Sequence, residues 1–237
     1  MVGIIIVLLI SWGLLWLIEK KHITALGIAP TARRIKQLGW AILLSIICCS
    51  TYHILRTLFI DNSWYYNRGY TFGGFLVSCW WVLKSVLFEE LIFRGALLFI
   101  AIQKLGFKKA CLFSAIAFGI YHWFSYNAFG NAGQMAVIFL ITGILGYVLA
   151  LAFAKTGSIY LPVGLHLGWN LVNIILFSNG PLGHQMLVRV NELQLHGLPS
   201  LAVFLFQALA LPAFTLVYLQ FFVKSTGRIR IKNNSTD

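Results

Sequence analysis

Charged residues are scarce in this chain, and acids are the scarcest of them. Asp, Glu, Lys and Arg make up 10% of the 237 residues, and six residues are acidic. Soluble domains carry about 25% charged residues, so the composition excludes an ordinary soluble domain. The chain is 59% hydrophobic with a mean hydropathy of +0.84, which predicts an integral membrane protein.

The cysteines lack the spacing of a disulfide framework or a metal site. Cys48, Cys49, Cys79 and Cys111 lie in apolar stretches, and no C-x-x-C pattern occurs. We therefore expect buried thiols. The apolar start has no basic leader and no small-residue cleavage site, so we expect it to stay as a helix and not to be removed as a signal peptide.

Apolar runs fill nearly the whole chain. Because about 20 apolar residues cross a bilayer as a helix, we predict an all-α, polytopic transmembrane bundle of about seven spans, in a range of about six to eight. The predicted spans are 2–18, 38–60, 72–102, 110–124, 134–154, 159–177 and 201–223. The third run is too long for one straight crossing, so we expect a tilt, an interfacial extension or a kink near Gly95.

The predicted organisation is one membrane-embedded domain over residues 1–223, followed by a basic and polar tail over 224–237. If the amino terminus lies outside, the inner side holds most of the basic residues: Lys20, Lys21, Arg33, Arg34, Lys36, Lys104, Lys108, Lys109, Lys155, Lys224, Arg228, Arg230 and Lys232. The outer loops hold only Arg68 and Arg189. This asymmetry follows the positive-inside rule and predicts a cytoplasmic carboxyl terminus. It also explains the net charge of +12 without a nucleic-acid partner.

Two acids and an arginine interrupt the third apolar run, as Glu89-Glu90-x-x-x-Arg94. A charge at the centre of a membrane helix costs about 2.5–3.5 kcal/mol, so these residues should pair or face a polar cavity. Glu90 and Arg94 are i, i+4 neighbours that can pair. Glu89, about 100° around the helix, then stays free to act. The alternative is a buried ion-pair clamp between helices.

Two further polar patterns lie on other predicted spans, Phe118-x-x-x-His122 and His166-x-x-x-Asn170. Alone, either could be an interfacial residue or a hydrogen bond between helices. Helices rise about 1.5 Å per residue, so Glu89, His122 and His166 each lie roughly 16–22 Å from the nearest inner lysine. A common depth favours one shared polar site.

The groups in this site suit amide hydrolysis. A carboxylate beside an imidazole can activate a water as general base. A second imidazole and a carboxamide can stabilise the oxyanion that forms. Glu89, His122 and His166 are also a zinc-type ligand set. We favour metal-free water activation, with zinc as the alternative, because no H-E-x-x-H helix is present.

These patterns resemble, in this order, the three motifs of the CAAX-protease and bacteriocin-processing (CPBP, or Abi) family of intramembrane proteases. The likeness covers roughly residues 72–173, with the first two spans similar only in general character. The resemblance implies a helical membrane endopeptidase. In it, Glu89 and His122 would activate the water, and His166 and Asn170 would stabilise the oxyanion. Glu90 and Arg94 would position that assembly.

The resemblance also indicates which classes of substrate to expect. Eukaryotic members act on prenylated C-terminal C-a-a-X tails, whereas bacterial members are associated with peptide maturation or bacteriocin self-immunity. The short chain and plain inner loops look more bacterial. We therefore expect a multi-pass protein of the cell membrane that acts on a membrane-associated peptide or protein tail. The alternatives are a non-catalytic bacteriocin-immunity protein, and a transporter or proton relay, for which the chain shows no inverted repeat.

Overall fold

The protein is built of helices, as the sequence predicts. The structure, a computed structural model, describes residues 2–60, 63–223 and 229. The α-helices in these ranges are α1 (Val2–Leu14), α2 (Ala32–Leu58), α3 (Phe72–Arg94), α4 (Ala96–Leu105), α5 (Phe107–Ser125), α6 (Ala132–Thr156), α7 (Tyr160–Asn170) and α8 (Gly197–Phe221). Wider π-helical turns extend α1 over Leu15–Glu19 and α7 over Leu171–Leu176.

Four of these helices are long and apolar enough to cross a membrane. They cover Val2–Glu19, Ala32–Leu58, Ala132–Thr156 and Gly197–Phe221. The apolar helix Tyr160–Leu176 is shorter. Every predicted span coincides with helix in the structure, so the all-α membrane bundle is confirmed. The number of crossings stays a prediction, and the predicted tail 224–237 lies outside the described residues apart from position 229.

The third apolar run is broken at Gly95, between α3 and α4. A Cβ at this position would lie 2.0 Å from the carbonyl oxygen of Leu91, so only glycine fits the break. The excess length of the run is therefore absorbed by a change of direction directly after Arg94.

Helix α7 packs closely on α2 through two glycines one turn apart. A Cβ on Gly164 would lie 2.7 Å from the carbonyl oxygen of Leu38, and one on Gly168 would lie 2.6 Å from that of Ile42. Small residues at this spacing let membrane helices approach closely. His166 lies between the two glycines in sequence, about 200° around the helix from each. The contact with α2 therefore directs His166 toward α3 and α5.

Two loops at one end of the bundle are joined by a short antiparallel pair, β1 (Trp64–Tyr66) and β2 (Leu187–Arg189). Trp64 is paired with Arg189 in this ladder, and its indole nitrogen donates a hydrogen bond to Thr57 Oγ1 at the end of α2. The backbone nitrogen of Met186 donates to the carbonyl oxygen of Ile175. The ladder thus holds the loop after α7 against the ends of α2 and α7.

Candidate active site

A buried ion pair forms the base of the site. Arg94 Nη1 lies 3.0 Å from Glu90 Oε1, and both side chains are fully buried. Arg94 Nη2 donates a 3.1 Å hydrogen bond to the carbonyl oxygen of Gly146 on α6. The guanidinium carbon lies 4.1 Å from the centre of the Phe118 ring, which suits a cation–π contact. The predicted pairing of Glu90 with Arg94 is present.

Gly146 gives the guanidinium room to reach α6. A Cβ there would lie 2.9 Å from Phe118 Cδ1 and 3.2 Å from Arg94 Nη2. A larger side chain would displace the Phe118 ring or the arginine. Because Gly146 has no side chain, the Arg94 guanidinium can reach the backbone of α6.

His166 is held by the same carboxylate that binds the arginine. Its Nδ1 lies 2.8 Å from Glu90 Oε1, and its Nε2 lies 3.9 Å from Glu89 Oε2. Both acids of the first motif therefore contact this imidazole. The sequence patterns did not predict the contact with Glu90, because it joins side chains of α3 and α7 that are 76 positions apart.

His122 points at the same carboxylate oxygen from α5. Its Nδ1 donates a 2.8 Å hydrogen bond to the carbonyl oxygen of Phe118, which can only accept. In the neutral ring the other nitrogen, Nε2, then carries a lone pair. That nitrogen lies 3.9 Å from Glu89 Oε2.

Glu89 is the point where the three helices meet. Its Oε1 accepts a 3.2 Å hydrogen bond from the Ser85 hydroxyl. Its Oε2 is buried and has no hydrogen-bond partner among the described residues. This oxygen lies 3.9 Å from the Nε2 atoms of both His122 and His166. A carboxylate oxygen and two imidazole nitrogens from α3, α5 and α7 therefore converge.

Two cavities meet at this point. The larger has a volume of about 570 Å³ and is lined by Glu89, and the smaller has a volume of about 190 Å³. His122, His166 and Asn170 line both cavities. All four residues predicted to carry the chemistry are therefore placed around connected internal space, while Glu90 and Arg94 lie behind them.

The sequence patterns missed a second polar group on the cavity wall. Asn173 and Asn179 line both cavities, and Asn173 Oδ1 accepts a 3.2 Å hydrogen bond from Asn179 Nδ2. Asn173 Oδ1 also lies 3.0 Å from Nε2 of His53, a buried residue of α2. A signal was available, because Asn173 follows His166 by seven positions and so returns to the same helix face.

Carboxylate and imidazole groups can also bind a metal ion. Among residues 2–60, 63–223 and 229, no group of three or more His, Cys, Asp or Glu side chains has metal-binding spacing. Zinc on Glu89, His122 and His166 stays a prediction.

Comparison with known proteins gives one match. A family model described as type II CAAX prenyl endopeptidase Rce1-like matches residues 71–172, which include α3 to α7 and all six predicted site residues. Searches of curated proteins and of solved structures found no match. The family match points to CAAX-type intramembrane protease activity, and the apolar helices make this a membrane protein. Residues 71–172 are thus similar to the Rce1-like family of CAAX proteases.

Proposed function

We propose that this protein is an intramembrane endopeptidase that hydrolyses a peptide bond in a membrane-associated peptide or protein tail, without a metal ion. One observation carries the proposal. Glu89 Oε2 is buried without a hydrogen-bond partner among the described residues, yet lies 3.9 Å from two imidazole nitrogens on other helices. An acid in this state is costly inside a membrane bundle, and such acids mark functional sites.

Glu89 and His122 are the groups that activate water in this proposal. The Phe118 carbonyl holds the proton of His122 on Nδ1, so Nε2 and Glu89 Oε2 are both acceptors. A water bound between them donates to both and directs its oxygen lone pair away from them. Its oxygen attacks the carbonyl carbon of the substrate, and the proton that it loses passes to Glu89.

His166 and Asn170 stabilise the oxyanion that this attack creates. Asn170 supplies amide N–H donors on the cavity wall. His166 donates from Nε2 when its ring is doubly protonated, with Nδ1–H directed at Glu90. The charges of Glu89, Glu90 and Arg94 sum to −1, so this additional proton makes the cluster neutral. Fixed donors in a site that excludes water stabilise a developing negative charge strongly.

Collapse of the tetrahedral intermediate completes the reaction. The oxyanion re-forms the carbonyl, the C–N bond breaks, and the proton held by Glu89 passes to the leaving nitrogen. Glu90 and Arg94 take no proton in this scheme. They fix the His166 ring, because one carboxylate oxygen contacts both the guanidinium and Nδ1.

The test is turnover by the purified protein in proteoliposomes. The probes are two quenched-fluorescent peptides, one with a prenylated C-a-a-X end and one with an unmodified apolar end. We expect Glu89→Gln and His122→Ala each to lower kcat by about 10²–10⁴-fold, the usual contribution of general acid–base catalysis. Glu192→Gln is the matched control, because this acid pairs with Arg189 outside the site and is 86% exposed. Unchanged turnover in both site variants would reject the proposal.

Two additional arms separate the alternatives. A strong chelator should leave turnover unchanged. If the chelator abolishes turnover and added Zn²⁺ restores it, a zinc site on Glu89, His122 and His166 replaces the metal-free scheme. If folded Glu89→Gln still protects cells against a bacteriocin as wild type does, a non-catalytic immunity protein is the better description.

A further inference from the structure

The larger cavity opens at one end of the bundle. Among its lining residues, Ser125 ends α5 and Tyr126 follows it, and both are exposed. Gly180 and Pro181, in the loop after α7, are exposed as well and line the same cavity. This is the end at which the β1–β2 ladder joins the loops. From here the cavity leads inward to Glu89.

The opposite end of the bundle carries most of the basic side chains. Lys104 at the end of α4 forms a 3.7 Å ion pair with Glu19 at the end of the α1 extension. Ser158, between α6 and α7, donates to the carbonyl oxygen of Gly27, before α2. These contacts place the α1–α2, α4–α5 and α6–α7 connections at one end, with these basic residues in or beside them: Lys20, Lys21, Arg33, Arg34, Lys36, Lys104, Lys108, Lys109 and Lys155.

Packed side chains separate the site from this basic end. Arg94, Phe118 and Phe153 are almost completely buried, and so are the α4 residues Leu98 and Ile102. Glu89 lies on α3, and the break at Gly95 and the whole of α4 separate it in sequence from Lys104. A peptide therefore reaches Glu89 from the cavity mouth, and the buried side chains close the route from the basic end.

We infer that the active-site cavity opens on the outer face of the membrane and takes peptide segments that have already crossed it. Short loops rich in Lys and Arg stay on the cytoplasmic side, and the mouth is at the other end. That these peptides are cleaved in the cavity rests on the proposed function. The side of the membrane on which the cavity opens rests on charge and geometry alone. It assigns this enzyme an exported peptide or the outer part of a membrane protein, and not a tail that ends in the cytoplasm.

The side of the mouth can be measured by labelling with a membrane-impermeant maleimide. In a background in which Cys48, Cys49, Cys79 and Cys111 are replaced by Ala, Ser125→Cys reports the mouth. Lys108→Cys, at an exposed position on the basic end, is its matched control. In intact cells we expect full labelling of Ser125→Cys and none of Lys108→Cys, which should become labelled only after permeabilisation. The reverse pattern would overturn the inference.

The labelling is repeated in the Glu89→Gln background, so that its outcome does not depend on catalysis. If Ser125→Cys is labelled from outside but turnover does not depend on Glu89, the proposed function is wrong and the side of the opening stands. If turnover depends on Glu89 but Lys108→Cys is the one labelled in intact cells, only the outward opening is wrong.

Discussion

Glu90 is the residue through which the two basic partners of the site are joined. Its Oε1 contacts both Arg94 Nη1 and His166 Nδ1, at 3.0 Å and 2.8 Å. All three side chains are buried. The carboxylate therefore sets the position of the imidazole and depends on the arginine for charge balance. Arg94 therefore supports His166 indirectly, through the Glu90 carboxylate.

Removal of Arg94 should destabilise the fold because it leaves a buried carboxylate without its cation. Loss of one partner of a buried ion pair costs about 3–5 kcal/mol. We expect Arg94→Met, which keeps the volume of the side chain, to lower the free energy of unfolding by this amount. Thermal unfolding in detergent measures the change.

The double variant Arg94→Met/Glu90→Gln separates charge from packing. Since neither charge remains, we expect it to be more stable than Arg94→Met alone. A double variant as unstable as the sum of the two single variants would show that packing, and not the unpaired carboxylate, sets the cost.

The sequence predicts which residues form the site, but not which of their side chains contact one another across helices. Glu90 and Arg94 could be paired in advance because i, i+4 neighbours meet on any helix. A common depth could be counted for Glu89, His122 and His166 because helical rise is constant. The contact between His166 and Glu90 depends on how α7 rotates against α3, which no single segment encodes. Asn179 lies in the loop after α7, so helical spacing could not place it on the cavity wall either.

At the scale of helices, the α2–α7 contact determines where the third motif lies. Gly168 would place a Cβ 2.6 Å from the Ile42 carbonyl oxygen and 2.9 Å from Ser45 Cβ. Neither neighbour can give way easily, because one is backbone and the other is the first side-chain atom. The helices touch here through their backbones, and α7 cannot retreat without moving His166 and Asn170.

A larger residue at Gly168 should therefore separate the two helices. We expect Gly168→Val to cost about 1–3 kcal/mol of stability, as overpacking does, and to lower turnover as well. Gly39→Ala on α2 is the control, because its Cβ would meet nothing within 4 Å. Stability is measured by thermal unfolding in detergent, and turnover with the two peptide probes. Equal effects of the two substitutions would contradict a close helix contact.

The helix break was predictable and the strand pair was not. The run 72–102 exceeds one crossing, so a tilt, an interfacial extension or a kink near Gly95 was expected, and the structure has the break at Gly95. The β1–β2 ladder joins loops that are more than 110 residues apart and each contributes three residues. Such short segments carry no alternating pattern long enough to identify them as strands.

At the scale of the whole molecule, the apolar surface faces outward and the polar groups inward. Large hydrophobic side chains on α1, α2 and α8 are exposed, whereas Glu89, Glu90, Arg94 and His166 are buried. A soluble protein would bury the first set against its core. The inverted pattern is that of a bundle whose outer solvent is lipid.

Two isoleucines of α2 make a test of that arrangement. Ile35 and Ile47 are both 55% exposed, but Ile35 lies in the first turn beside Arg34 and Lys36, and Ile47 lies near the middle of the helix. Lipid around the middle makes a charge there cost about 2.5–3.5 kcal/mol, whereas water or headgroups accept it at the end. We expect Ile47→Asp to reduce the amount of folded protein in the membrane fraction strongly, and Ile35→Asp to leave it near wild type. Two surface positions of a soluble protein would tolerate the same change equally, so equal yields would argue against the membrane bundle.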